Sequence, residues 1–188
     1  MADTEELRPA AAAGINHLVL SVRDIEASHR FYTEVLGWEQ CGALKPAFGF
    51  QMQFYRASPT HHHHLALMQI KDPASEPVRP AWSLGEAHGQ LNHYAVTYPT
   101  RDAFLQQLRY MKSKGAEFAI RGDHGMTHSA YIVDPDGNGV EILYEVPAEA
   151  WEADIDGALN YFVPRDPNGA DFFEDNTDFV KFPAPANG

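Results

Sequence analysis

A chain of 188 residues in which 44% of side chains are apolar is long enough to close one domain around a real core. Twenty-six acidic residues against fourteen basic ones leave a formal charge of −12, which argues against nucleic acid or an anionic membrane surface as partner, because phosphate contacts need a basic face. The single cysteine, Cys41, has no internal disulfide partner and no apolar run approaches a membrane span, so a reducing, cytoplasmic setting is expected.

Residues 1–13, acidic and then alanine-rich, read as a flexible lead-in without the basic-then-apolar order of a signal peptide. Residues 15–22 alternate as a strand, with Ile15, His17, Val19 and Ser21 on one face and Leu18, Leu20 and Val22 on the other. Asp24 offers a helix N-cap, Ile25, His29, Tyr32 and Leu36 recur near helical spacing, and Gly37 supplies a stop. Strands are then expected at about 38–43, 48–57 and 62–70. Residues 71–89, with Pro73, Pro77, Pro80 and two glycines, read as a linker.

The order then repeats. Residues 91–98 form a strand with His93, Ala95 and Thr97 on one face, and Thr100 caps a helix whose Phe104, Leu108 and Met111 share one side as far as Gly115. Short strands follow at about 117–120, 127–133 and 139–145, with a turn at Asp134-Pro135-Asp136-Gly137. The fold class expected is α+β: two tandem βαβββ modules, 14–70 and 90–146, that form one domain. Their strands would make a cup-shaped, partly closed mixed sheet with the helices outside. Residues 147–188 form a tail whose Phe162, Phe172, Phe173 and Phe179 would be costly to leave in water, so it should pack on the domain or on a partner subunit.

The two first strands, Ile15-Asn16-His17-Leu18 and Leu91-Asn92-His93-Tyr94, carry a histidine at the same step, which marks an internal duplication. A lone strand histidine is more often a satisfied polar residue than a ligand. Recurrence changes that balance, because a duplicated core needs no histidine there. Glu141, in the last strand of the second module, would be costly to bury unless paired or metal-bound. His17, His93 and Glu141 are therefore the candidate metal ligands. Two imidazoles and one carboxylate that leave other positions open suit a non-haem Fe(II) centre.

These features, together with Gly122-Asp123-His124, Tyr131-Ile132-Val133-Asp134-Pro135-Asp136-Gly137 and Glu141, make residues 15–146 resemble the vicinal-oxygen-chelate superfamily. Within that superfamily the chain is most similar to the compact, one-domain kind of type I extradiol ring-cleaving dioxygenase. Ala130 stands where those enzymes usually carry a larger residue before the tyrosine, a departure that bears on substrate fit. The resemblance implies Fe(II), with Mn(II) as the alternative, and a small aromatic diol and O2 as substrates. It implies that Tyr131 orients a substrate oxygen and that His124 contacts the substrate hydroxyl or supports the rim.

The run His61-His62-His63-His64-Leu65-Ala66-Leu67 resembles a family stretch that supplies a proton-handling histidine. A literal match makes this His63, whereas aligning the two modules selects His64; a one-residue shift reverses the strand face, and His63 is the expected proton carrier. Glyoxalase-like isomerases place a carboxylate on this strand, and no Asp or Glu occurs between Gln51 and Gln69. Such an isomerase, a thiol transferase of the same superfamily and a metal-free binder of drugs or aromatic ligands are the rival functions. The aromatic tail makes a homo-oligomer the expected assembly.

Overall fold

Strand β1 (Leu18–Val22) buries Leu20 and Val22 on one face and leaves Val19 and Ser21 open on the other, as its alternation requires. The computed structural model describes residues 11, 13–78, 80–87, 91–175 and 178–183. Helix α1 (Ile25–Arg30) starts where Asp24 accepts the backbone N–H groups of Glu26 and Ala27, each at 3.0 Å. It continues as a π-helical turn over Phe31–Val35, closed by the N–H of Leu36 donating to the carbonyl of Phe31. The wider turn carries Tyr32 and Leu36 into the core, where the sequence periodicity predicted one uninterrupted α-helix.

Strands β2 (Glu39–Ala43), β3 (Met52–Arg56) and β4 (Leu65–Gln69) complete the first module, in the sheet order β1-β4-β3-β2 with β1 and β4 parallel. Both β3 and β4 are shorter than the apolar runs suggested. Residues 46–48 wind into a single 3-10 turn, and the four histidines precede β4 instead of joining it.

The second module follows the same plan: β5 (His93–Thr97), α2 (Arg101–Ser113) capped by Thr100, β6 (Ile120–Asp123), β7 (Thr127–Val133) and β8 (Gly139–Glu145). Its sheet runs β5-β8-β7-β6-β9, the last strand (Val163–Arg165) coming from the tail after a short helix α3 (Ile155–Leu159). Strand β6 starts later than the sequence suggested, because Phe118 drops into the core against Phe172 of the tail.

The expected single cup wall is two sheets, not closed on each other, with β1 and β5 each at an edge. One core unites them, drawing Tyr32, Leu36, Tyr55, Leu65 and Leu67 from the first module and Phe104, Leu108, Met111, Ile132 and Ile142 from the second. The turn after β7 ties the modules together. Asp134 accepts the hydroxyl of Tyr32 at 3.0 Å, and Asp136 accepts the N–H of Arg23 at 2.7 Å and the hydroxyl of Ser28 at 3.0 Å. Gly137, at φ +87°, takes the left-handed conformation that closes this turn without a Cβ clash. Among the described residues no helix is long and apolar enough to cross a membrane.

Candidate metal centre

The ladder of the second sheet decides which side chains meet. Ala95 pairs with Glu141 and His93 with Gly139 across β5 and β8, while Tyr131 pairs with Glu141 across β7 and β8. His93, Glu141 and Tyr131 therefore project from one face, opposite the helix-packed core. On that face Nε2 of His93 stands 3.2 Å from Oε2 of Glu141. The hydroxyl of Tyr131 donates to Oε1 of the same carboxylate at 2.9 Å and lies 2.8 Å from Nε2 of His124. Glu141 is buried, while the His93 side chain keeps 35% of its surface exposed, so the group stays open on the His93 side.

Asn92 Oδ1 meets Nδ1 of His93 at 2.7 Å, and in the first module Asn16 Oδ1 meets Nδ1 of His17 at 2.8 Å. An amide oxygen can only accept, so each histidine carries its proton on Nδ1 and turns Nε2 outward as a donor atom for a ligand. In His93 that lone pair faces a carboxylate oxygen. Two electron-rich atoms at that separation need a proton or a cation between them.

Ligands about 2.1 Å from one divalent ion and at right angles stand about 3 Å apart, so His93 and Glu141 are spaced as neighbouring ligands. The donor set of two imidazoles and a carboxylate suits Fe(II) or Mn(II). Among the described residues, no three His, Cys, Asp or Glu side chains stand close enough to hold a metal ion. His17 lies outside the His93–Glu141 pair, exposed, with its ring 4.5 Å from that of His63. Both His17 and His93 line the cavity of about 890 Å3 between the two modules, together with Leu18, Tyr94 and Thr97.

The histidine run resolves into different surroundings. His63 packs against His17 and, at 5.1 Å between ring centres, against Phe54. His64 turns toward Trp38 and accepts the N–H of Ala57 on Nδ1. Burial, then the neighbouring His17 and His62, hold the His63 pKa below the ordinary histidine value. Burial also lowers that of His124, against the opposing pull of Glu141 and Asp123. The Tyr131 hydroxyl is pushed well up, first by burial and then by the charge of Glu141.

Aromatic rings from outside the modules frame this face. Trp82 of the linker stacks on Tyr131 with centroids 5.1 Å apart and planes 13° from parallel. Phe162 of the tail stacks on His124 at 4.7 Å, over Gly122, where a Cβ would collide with its ring. Sequence reasoning found no place for Trp82, Phe162 or Asn92 in the site. The repeated Asn-His dipeptide was a signal for Asn92, whereas a tryptophan in a proline-rich linker carries none.

A family model described as the Glyoxalase/Bleomycin resistance protein/Dioxygenase superfamily matches residues 14–142. Catechol-2,3-dioxygenase of Bacillus subtilis (strain 168) is 28% identical over 149 residues, which cover 79% of this chain and 47% of that protein. Biphenyl-2,3-diol 1,2-dioxygenase 2 of Rhodococcus globerulus is 33% identical over 141 residues, covering 71% of this chain and 65% of that one. The chain thus spans about half to two thirds of the length of these diol dioxygenases. Lactoylglutathione lyase of Pseudomonas putida is 27% identical over 175 residues, 77% of this chain and 92% of the lyase. Among solved structures, a glyoxylase/bleomycin resistance protein/dioxygenase domain from Frankia sp. EAN1pec superposes with a TM-score of 0.57 at 16% identity, over 72% of this chain and all of that one.

Proposed function

The chain belongs to the glyoxalase/bleomycin resistance protein/dioxygenase superfamily, and on that premise we propose that it is an extradiol-type dioxygenase opening the ring of a catechol-class diol with O2. The observation that carries this reading is His93 Nε2 facing Glu141 Oε2 at 3.2 Å, with Tyr131 and His124 hydrogen-bonded behind the carboxylate. His93 and Glu141 would hold the ion, and His17, which lines the cavity with His93 but stands apart from the pair, would have to close on it to become the third ligand. Bound there, Fe(II), or Mn(II) in its place, would supply Lewis acidity that favours the diolate and a redox centre for O2. In the overall reaction the carbon–carbon bond beside the diol breaks and both atoms of O2 enter the product. The diol supplies all the electrons, so no outside reductant is needed.

The chain's own groups do the rest. Tyr131, kept protonated by burial and by Glu141, donates one hydrogen bond and orients Glu141. His124, whose pKa burial lowers, would donate to the Tyr131 hydroxyl, whose own proton is given to Glu141, so the pair would pass a proton between His124 and that carboxylate. His63, beside His17, serves as the second proton carrier. Leu18, Leu36, Trp38 and Val96 give the cavity that His17 and His93 line an apolar wall. A cytoplasmic homo-oligomer is part of the same proposal.

Likeness to the lyase over nearly its whole length favours a second reading, an isomerase acting on a glutathione adduct. Strand β4 carries no carboxylate to serve as its base. Anaerobic loading with Fe(II), then exposure to O2 and a small set of catechols, separates the two. A coloured ring-fission product is expected. A protein that binds metal, leaves every catechol intact and converts the hemithioacetal of methylglyoxal and glutathione would overturn the dioxygenase reading.

A further inference from the structure

We propose that Trp82, in the linker between the modules, is a positioning residue that sets which ring nitrogen of His93 is offered to the metal. The inference rests on His93 being a metal ligand. The linker returns over the second sheet and is pinned there by the N–H of Trp82, which donates to the carbonyl of Gly137 at 3.0 Å. The indole is buried, lies flat on Tyr131 and approaches the His93 ring edge-on at 6.2 Å. Its Nε1–H donates to Oδ1 of Asn92 at 3.0 Å, and this same oxygen lies 2.7 Å from Nδ1 of His93. The amide nitrogen of Asn92 donates to the carbonyl of Glu86 at 3.0 Å, further along the same strap.

An asparagine amide can present its oxygen or its nitrogen, and the two ends differ in chemistry but hardly in shape. Turned over, Asn92 would offer N–H to His93, and the ring would answer with a lone pair on Nδ1 and the proton on Nε2. Nε2 would then be a hydrogen-bond donor toward Glu141 instead of a ligand atom. An indole N–H can only donate and a carbonyl can only accept, so Trp82 and the Glu86 carbonyl, both on the strap, together admit only the oxygen at that position. From Trp82 through the amide to the imidazole, each group leaves the next a single choice. Gly139 provides the space, since a Cβ there would lie 2.7 Å from Cδ1 and Cγ of the indole. The linker thus acts on a ligand it does not itself supply.

The test follows the His93 ring nitrogens by 15N NMR in metal-free protein, in the neutral ring at alkaline pH, alongside Mn(II) affinity by equilibrium dialysis. Wild type should show the proton on Nδ1. Trp82→Phe keeps an aromatic ring on Tyr131 but removes the donor. With the amide then oriented by the Glu86 carbonyl alone, it should show a measurable share of the Nε2–H tautomer and Mn(II) binding weaker by up to about tenfold. Asn92→Asp presents acceptors only, so combined with Trp82→Phe it should restore the Nδ1 proton, although it gives up the bond to the Glu86 carbonyl. A double variant that keeps the tautomer mixture of Trp82→Phe would overturn the proposal, as would an unchanged tautomer in Trp82→Phe. Wild type that binds no Mn(II) or Fe(II) sinks the metal reading instead, and the tautomer measurement still decides what Trp82 does.

Discussion

Asp175 of the tail has an oxygen 2.7 Å from Nδ1 of His128, on the face of the second sheet opposite Glu141. The carboxylate is fully buried, receives the hydroxyl of Tyr144 at 2.8 Å and pairs with Arg121 at 3.1 Å. Arg121 also donates to the carbonyls of Phe172 and Glu174, and Arg109 donates to that of Phe173. The strands that present Tyr131 and Glu141 on one side are therefore braced by the tail on the other.

Removing that charge should loosen the domain. Asp175→Asn leaves Arg121 buried beside a neutral amide, a broken buried pair of the kind that costs about 3–5 kcal/mol. Urea unfolding followed by circular dichroism measures it. Burial alone would raise the Asp175 pKa, but His128, Tyr144 and Arg121 outweigh it and hold the value below the usual carboxylate range. A depressed native pKa means stabilisation that is complete above the unfolded-state value and is lost as pH falls through the native one. Wild type should accordingly lose stability more steeply than Asp175→Asn on the acid side. Superimposable acid limbs would remove the tail carboxylate from the account.

Metal retention should divide the histidines. His93→Ala and Glu141→Gln are each expected to abolish stoichiometric Fe(II) or Mn(II) binding, because either change breaks the proposed ligand pair. His63→Ala should keep the metal and slow turnover about tenfold to a hundredfold, as loss of a proton carrier does. Metal analysis after gel filtration, beside a ring-fission assay, reads both. Full occupancy in His93→Ala would show the ion to be held elsewhere.

The duplication, the order of elements along each module and the faces of His93 and Glu141 could be read from periodicity, because alternation and one repeated dipeptide carry them. His17 shows where such reading stops. Its place in β1 predicts the face it points from, but how closely the edges of two unjoined sheets approach depends on packing of Tyr32, Tyr94 and Asp134 from distant segments. The π turn at Phe31–Val35 is similar, since apolar spacing near four residues does not separate it from an α-helix. Trp82 and Phe162 reach the site from segments without periodicity, and the room they need over Gly139 and Gly122 is visible only in the structure.

Tyr131→Phe isolates the hydrogen-bonded chain behind the carboxylate. The ring would still stack on Trp82, but Glu141 would lose its donor and His124 its partner. Metal affinity should fall about tenfold or more with the loss of this outer hydrogen bond. The rate of ring opening should fall further, by about a hundredfold, if the hydroxyl relays a proton. Because the Tyr131 pKa is raised, the hydroxyl does not ionise near neutrality, and its loss should lower the pH–rate profile without moving its limbs. A limb that disappears in Tyr131→Phe would assign the titrating group to this tyrosine.

Gly139→Ala tests whether the linker strap and the ligand strand fit only one way. Its backbone is ordinary extended strand, so a methyl group meets no torsional objection and the question is one of space. The added carbon would lie 2.7 Å from two atoms of the Trp82 indole and 2.8 Å from Cβ of His93. Trp82 belongs to a strap, so the indole gives way and comes off Tyr131, while the contact with Cβ of His93 is relieved only by spreading β5 from β8. Overpacking of this kind costs about 1–3 kcal/mol. Emission from Trp82 should shift to the red with greater acrylamide quenching, and Mn(II) affinity should fall with it, by about tenfold. Gly42→Ala is the control, since its methyl would meet only Phe54, at an ordinary 3.8 Å. If Gly139→Ala left both emission and affinity at wild-type values, the indole would not be held where the ligand strand needs it.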